Sequence, residues 1–366
     1  MTKAAELAKM GEVLTNSQIG GRRNMIINGG MKVFQRSTSA TGLGASSGYF
    51  SADRMRIFSV TSGRVTMSQS SDTPDGFGNS LKIETTTADT SIAATELFIL
   101  SYSMEGQDAQ QIKKGTSEAE SLTMSFFAKA NASANYVVEM YDADNTRNNT
   151  QAFTVTDSWQ RFEFTFAPDT TGALDDDNAL SFYPIQIWLH GGSNYSSGTF
   201  SSNTWGSVTN ANRYAGSRTS IFDSTDREFY ITGVQVELGS QATPFEHRSF
   251  GEELSLCQRY YQVVPKYTFF NGAVEVSTNS LRGGVPITRP LRASPTIGNI
   301  TLIVYDDDDN SFSNAAHAVF ANSGSYEVDG TTGFLSVVFN GNLSGRTDNH
   351  NVTALYGTDG TLDSEL

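Results

Sequence analysis

The chain has one cysteine in 366 residues, Cys257, so no disulfide can close within it. Its order must come from burial, from a bound ion or from association with other chains. Proline occurs eight times and histidine four times, and 25 Lys and Arg face 39 Asp and Glu, a formal net charge of −14. Such a balance argues against nucleic acid as a partner, because phosphate recognition needs concentrated Lys and Arg. It also gives an acidic coat that favours solubility and is repelled by anionic surfaces. No apolar run is long enough to cross a bilayer, and Lys3, Glu6, Lys9 and Glu12 interrupt the stretch where a secretory signal would need an apolar block. No membrane insertion is expected, and synthesis in a cytoplasm is.

Catalytic signatures are missing too. The sequence has no GxSxG elbow, no HExxH pair, no phosphate-binding GxxxxGK[ST] and no repeat period of a β-helix. Its histidines, His190, His247, His317 and His350, are scattered. A polysaccharide-cleaving enzyme needs two carboxylates held about 5 to 10 Å apart across a cleft. No pair among the 39 acidic residues is marked by sequence. The expectation is a non-enzymatic protein, with a surface-polysaccharide depolymerase as the rival class.

What the chain does have is a long succession of short strands. Period-two or short apolar runs at residues 25–27, 54–60, 64–68, 81–85, 94–100, 122–128, 136–141, 151–155, 161–166, 185–190 and 228–238 predict one large antiparallel domain over residues 24–248. Their loops are rich in Gly, Ser, Asn and Asp, which points to an all-β, jelly-roll-like β-sandwich. In the last run Val234, Val236 and Leu238 alternate with Gln235 and Glu237, the pattern of a half-buried strand. The period then changes. Leu254, Cys257, Tyr260 and Tyr261 recur at three- and four-residue steps and predict a short junction helix within residues 249–262. Cys257 on that apolar face reads as a packed thiol rather than a nucleophile.

Two flanks complete the organisation. Over residues 2–14, Ala4, Leu7, Gly11 and Leu14 form a narrow helical seam with Thr2 as N-cap, followed by a polar linker to residue 23. Isolated helices this short are marginal. The seam must dock on its own body or bundle with copies of itself, and the linker favours an attachment segment over residues 1–23. Residues 263–366 predict a second, smaller β-sandwich with strands at 266–270, 273–276, 285–287, 300–305, 325–328, 334–339 and 352–356. Asn271-Gly272, Arg282-Gly-Gly and Asp329-Gly330 read as its turns, and Pro286, Pro290 and Pro295 confine 285–295 to an edge strand or ribbon.

Candidate sites are of two kinds. Residues 191–220 are rich in Gly, Ser, Asn and Thr and carry Tyr195, Phe200, Trp205 and Tyr214. Tyr195, Trp205 and Tyr214 suit sugar recognition, where rings stack on pyranose faces while amides and hydroxyls read the rim. They equally suit pins that fasten a long loop by buried area. Asp306 and Asp308 lie in a run of four aspartates, where a Ca2+ ion would relieve carboxylate repulsion. The EF-hand positions six and twelve hold Ser311 and His317 instead of Gly and an acid, so a solvated acidic turn is the simpler account. Asp142-Ala-Asp-Asn145 and Asp175-Asp-Asp177 read the same way.

Several stretches resemble the receptor-binding and tail fibre proteins of tailed bacteriophages. They are NMIINGG from Asn24 with VFQR from Val33, YFSADR from Tyr49, the junction VQVELGSQATPFEHRSFGEELSLCQRYYQ from Val234, RASPT from Arg292, and the closing LDSEL from Leu362. The run SWQRFEFTF from Ser158 is similar to sandwich-type carbohydrate-binding modules. The resemblance implies a homotrimer, attachment to other virion proteins through Leu7, Gly11 and Leu14, and a trimer or domain junction at Leu254, Tyr260 and Tyr261. It further implies a host-surface glycan or protein as receptor, with the C-terminal β domain of residues 263–366 as a receptor-binding tip, an external virion location and no obligatory cofactor. A structural adaptor, neck or head appendage without receptor binding is the alternative.

Overall fold

A computed structural model of the protein describes residues 3, 23–265, 269–275, 280–293, 295–298, 301–306, 319–321, 334–340, 351–356 and 360–366. The expected seam residues Leu7, Gly11 and Leu14 and the strand at 325–328 lie outside the described residues. The chain divides into two compact units, Met1–Glu253 with Leu366, and Leu254–Glu365.

The first unit is a β-sandwich. One antiparallel sheet runs in the order β1 (Ser39–Leu43), β4 (Arg64–Ser70), β5 (Ser80–Thr87), β13 (Glu228–Leu238), β7 (Leu122–Ala130), β10 (Gln160–Phe166). The other runs β12 (Gly206–Ser207), β9 (Arg147–Val155), β8 (Ala134–Asp142), β11 (Leu180–Gly191), β6 (Leu97–Glu105), β3 (Arg56–Val60), β2 (Gly48–Tyr49). The chain crosses between sheets repeatedly, in the jelly-roll-like manner. Alternation along each strand then aims one set of side chains inward from both sides. Met67, Ile83, Phe126 and Ile231 from the first sheet share a core with Ile57, Leu100, Val138 and Ile187 from the second. Ring pairs bridge the layers, Phe126 with Phe153 at 5.5 Å and Tyr136 with Phe229 at 5.7 Å between centroids. Such edge-on pairs add to the area that the core removes from water.

β13 departs from the half-buried strand that its alternation predicts. Gln235 and Glu237 are 0% and 1% exposed, because the chain folds back over them. Thr243 donates its N–H and hydroxyl to Glu237 at 2.8 and 2.7 Å, and the Glu246 N–H donates to Gln235 Oε1 at 2.8 Å. Residues 25–27, expected as a strand, form none. β13 pairs with β5 only as far as Ile231, and from Val234 onward residues 24–29 take the place of β5. Met25 N–H donates to Val236 O and Val234 N–H to Gly29 O, both at 2.9 Å. Asn24 does the rest through its side chain, donating to Val234 O at 3.0 Å and accepting from Val236 N–H at 3.2 Å. Two glycines permit this approach. A Cβ at Gly29 would stand 2.0 Å from Val234 O, and Gly233 adopts φ +63° at the bulge.

Two buried acidic residues of this unit, Asp142 and Asp169, are satisfied internally. Asp142, expected in a solvated turn, is wholly buried, with the Lys114 ammonium 2.5 Å from its Oδ2. The same ammonium reaches Asp169 Oδ2 at 3.0 Å and the carbonyls of Thr171 and Gly172 at 2.8 and 2.9 Å. Burial would raise the Asp169 carboxyl, but Arg147 and Lys114 outweigh it and hold it below its ordinary range.

The junction helix is shorter than expected. It spans Phe250–Cys257, with Ser249 Oγ accepting the Glu252 N–H at 3.2 Å as N-cap and Glu252 and Glu253 in its first turn. Residues 258–260 turn, and Tyr261 opens β14 (Tyr261–Val264), since the β-favouring run Tyr-Gln-Val-Val gains a ladder with β22 (Gly360–Asp363). Cys257, Tyr260 and Tyr261 are 1%, 1% and 7% exposed in a single chain, while Leu254 is half-buried. Burial of these tyrosines thus requires no second copy.

The second unit holds a three-stranded sheet, β14–β22–β17 (Thr296–Gly298), and a six-stranded one. The latter runs β19 (Val319–Ala321), β18 (Thr301–Asp306), β21 (Asn351–Tyr356), β15 (Phe269–Glu275), β16 (Ser280–Pro286), β20 (Phe334–Asn340). Two expected turns are strand interior. Asn271 and Gly272 pair directly with Gly284 and Gly283, so glycines face one another across β15 and β16. Nor is β16 an edge, because it lies between β15 and β20, with Pro286 at its last position.

Replacing Lys114 with Met should cost about 3–5 kcal/mol of unfolding free energy, since it strands a buried carboxylate. Urea denaturation reads this directly, and a cost under about 1 kcal/mol would mean that water or an ion takes over the ammonium's place. His190, fully buried, has Nδ1 2.8 Å from Ser220 Oγ and its ring against Phe222, with Glu96 and Asp89 nearby. Burial lowers its pKa from 6.5 to about 4, which the Asp89 charge only partly opposes. The unfolded chain takes this proton first, so the stability contributed by neutral His190 is present above pH 6.5 and lost as pH falls toward 4. Denaturation at pH 7 and 4.5 should show His190→Gln losing roughly 2–3 kcal/mol less than the natural chain; equal losses would assign the acid sensitivity to the carboxylates.

Candidate functional site

Strand register fixes which residues share the outer face of the seven-stranded sheet. Ile57, Leu100, Ile187 and Val138 are direct cross-strand neighbours and point into the core. One residue along, three rows face outward. The first is apolar, Phe58–Ile99–Trp188–Val137. The second is largely polar, Tyr49–Arg56–Ser101–Gln186–Glu139–Thr150. The third is Tyr183–Tyr141–Asn148, kept in phase by the register shift between Tyr183 and Gln186.

Residues 191–220 fold over the apolar row. A short helix at Ser193–Ser196, a 3-10 turn at Asn210–Asn212 and β12, paired with β9, give this stretch regular anchors. Ile99, Val137, Trp188 and Tyr214 form a small core under it, flanked by Tyr195 and Phe200. Arg213 then reaches back across the sheet. Its Nε and Nη2 lie 2.9 and 2.8 Å from the two oxygens of Glu139, and Nη2 donates to Gln186 Oε1 at 3.1 Å. Its guanidinium is 4.6 Å from the Trp188 ring centroid and 5.1 Å from that of Tyr141. Burial would lower the Arg213 pKa, but Glu139 more than offsets it and raises it.

Glu139 is fully buried and saturated. Besides Arg213 it accepts from Trp188 Nε1 and Asn148 Nδ2, both at 2.6 Å. Both of its oxygens are thus occupied within the fold. Among the described residues no group of three or more His, Cys, Asp or Glu is arranged to hold a metal ion. Asp306 closes β18, its side chain is not described, and Asp308 lies outside the described residues.

The third row is only partly covered, and within it Tyr183 is itself 7% exposed. Tyr141 and Tyr183 have centroids 5.7 Å apart, and Tyr183 meets Phe58 edge-on at 5.6 Å. Burial pushes the Tyr183 pKa up to about 12, so its phenol stays protonated. Arg56 lies 4.2 Å from the Phe58 centroid and 5.8 Å from that of Tyr49. At this end the Leu366 carbonyl accepts from Tyr49 Oη and Arg56 Nη1, both at 3.0 Å. Tyr141 and Phe58 are half-buried rather than enclosed. A strip of rings flanked by guanidinium, amide and hydroxyl groups matches a flat ligand with apolar faces and a hydroxyl rim.

The three rings expected to bind are separated. Tyr214 is 2% exposed, stacks on Trp188 at 6.0 Å and donates its hydroxyl to Thr219 O at 2.7 Å. It is packing, which corrects its assignment as a ligand residue. Tyr195 is half-buried and covers Trp188 at 5.4 Å. Trp205 packs against the main core instead, bonded to Ala167 O at 2.8 Å, with Lys114 Nζ 5.5 Å from its ring centroid. Sequence reading passed over Tyr141, Tyr183, Trp188, Arg213 and Glu139. Alternation through 136–141 and 185–190 puts these ring and acid positions opposite the core residues, but the register that aligns them is not written locally.

No family profile matches the sequence, and no curated protein matches it. Among solved structures, a family 11 carbohydrate-binding module of a cellulosomal cellulase of Clostridium thermocellum is 15% identical, covering 58% of this chain and all of its own length at a TM-score of 0.27. The CBM22-1 xylan-binding domain of Paenibacillus barcinonensis Xyn10C is 13% identical, covering 49% of this chain and 83% of its own at 0.25. TmCBM61, solved in complex with β-1,4-galactotriose, is 9% identical, covering 60% and 99% at 0.29. The sandwich assignment made above rests on the two sheets themselves.

Tyr214→Ala should destabilise the chain by about 3–5 kcal/mol, the cost of emptying a buried aromatic site. Tyr214→Phe, which removes only the bond to Thr219, should cost about 1 kcal/mol. Thermal unfolding of both variants checks the assignment, and a Tyr214→Ala chain as stable as the natural one would overturn it.

Proposed function

We propose that the chain is a non-catalytic, glycan-binding protein of a tailed-phage virion, a trimeric tail fibre or receptor-binding appendage that attaches to host-cell surfaces. The observation that carries the binding part is the outward strip of Tyr141, Tyr183 and Phe58, bordered by Arg213, Gln186 and Ser101 on one rigid sheet. Aromatic faces supply area, and the fixed donors beside them supply orientation. Contacts of this kind are weak singly and add through multivalency when three copies act together. The virion part rests on the resemblance of the quoted stretches. An accessory Ca2+ at Asp306 and Asp308 belongs to the same reading.

A structural appendage without receptor binding is the second reading. It draws on the bonds from Tyr49 and Arg56 to Leu366, which occupy one end of the strip.

Purified full-length chain should sediment as a trimer and bind host cells and a subset of arrayed glycans in preference to non-host cells. Tyr141→Ala should weaken that binding at least about tenfold, as loss of a stacking ring does, with little change in melting temperature. A folded chain that binds neither cells nor glycans would leave the structural appendage standing.

A further inference from the structure

The same excursion that covers the apolar row also forms a small, partly open cavity against β9, beside the Asn148 end of the ring strip. Its volume is about 110 Å³, and its wall includes Asn148, Thr150, Ser201, Ser207, Thr209 and Asn212. Every lining side chain is an amide or a hydroxyl apart from one glycine. We infer that this cavity is a distinct subsite for one neutral sugar unit. The inference rests on the glycan-binding reading and deepens it.

The wall is built rather than incidental. Thr150 Oγ1 donates to Ser201 O at 2.9 Å and Thr150 O accepts the Asn203 N–H at 2.8 Å. Gly206 and Ser207 pair with Asn148 and Arg147, and Asn212 Oδ1 accepts the Thr199 N–H at 2.9 Å. Asn148 Nδ2 is fixed on Glu139 at 2.6 Å. Ser201, Ser207 and Thr209 are exposed, and their hydroxyls make no hydrogen bond to a described residue, so a ligand's hydroxyls can replace the water on them. They are donors and acceptors at once, which suits vicinal hydroxyls of a sugar ring.

Charge decides the class of sugar. Two charged groups that adjoin wall residues are already matched, Glu139 with Arg213 and Arg147 with Asp169 at 2.8 and 2.9 Å. A uronate or sialate carboxylate placed here would lose water without gaining a counterion, and neutral units are therefore selected. The small volume sets the footprint, which suits a single ring with any remaining units of a longer chain outside it. Position links it to the strip. Asn148 both lines the cavity and ends the Tyr183–Tyr141 row, so a chain lying on the rings has its next unit at the cavity mouth.

The test uses the full chain with neutral hexo-oligosaccharides, their uronate-terminated counterparts, and three variants in calorimetric titration. Ser207→Ala with Thr209→Val should weaken neutral-glycan binding about tenfold, as the loss of two hydrogen bonds does. Its melting temperature should not move, because neither hydroxyl holds the fold. Ser207→Trp should fill the space and weaken binding further, and uronate-terminated ligands should bind the natural chain at least about tenfold more weakly than neutral ones. If both cavity variants bind as the natural chain does while Tyr141→Ala loses binding, the inference fails and the strip stands. Uronate ligands binding as tightly as neutral ones would overturn the neutral selection. No binding by the natural chain to any of these ligands would overturn both readings.

Discussion

A buried polar knot beside the central strand holds the first unit together. Arg248 donates to the carbonyls of Ile26 and Asn24 and pairs with Glu253, and Glu253 accepts the Asn28 N–H. Asn28 in turn donates to the carbonyls of Val33 and Asp53 and accepts from the N–H groups of Lys32 and Val33. All three side chains, Arg248, Glu253 and Asn28, are at most 8% exposed. A lone guanidinium or carboxylate at such depth would be prohibitive, whereas here each charge meets an opposite charge or a fixed backbone dipole. The knot lets β13 change partners midway. Its first half is laddered to β5, its second half to a segment some 200 residues earlier in the chain, a separation that the Asn24 to Val234 bond spans as 210 residues. Without the knot, the polar edge of β13 beyond Ile231 would be buried with nothing to pair to.

Asn24, Asn28, Asp53, Val234, Arg248 and Glu253 lie far apart in the sequence and meet at one place. In the second unit a smaller meeting holds distant backbone in the same way, where Arg292 Nε donates to Ser364 O at 2.9 Å and Ser364 N–H donates to Tyr260 O at 2.8 Å.

Period-two reading found most strands of the sandwich and both ends of β13, because inward and outward positions alternate wherever a strand lies over a single core. It failed where an element had neighbours on both sides. Gln235 and Glu237 read as solvent-facing, yet a later segment covers them and supplies their partners. Tyr260 and Tyr261 read as helix by spacing, but only the first turns of that pattern are helical, since pairing with β22 claims Tyr261. Glycine signals misled for a related reason. Gly272 and Gly283 mark close approach between two strands, not turns. The ring strip was illegible for its own reason: Tyr141, Tyr183 and Phe58 come from three strands, and only register brings them side by side.

The Glu139–Arg213 pair shows how stability and recognition are divided on the outer face. Buried ion pairs contribute little net stability compared with apolar replacements, but breaking one is costly. What this pair adds is geometry. Arg213 arrives from the excursion and Glu139 from β8, so the pair pins residues 191–220 to the sheet at one register. That single attachment sets three things at once: Tyr214 is pressed onto Trp188, Asn148 is turned by its bond to Glu139, and the guanidinium is laid against Tyr141. The apolar row is thereby closed, the ring strip is given an edge of fixed donors, and the small polar cavity is given one wall. The Glu139 and Arg213 charges are spent on one another, so neither stands bare on the outer face.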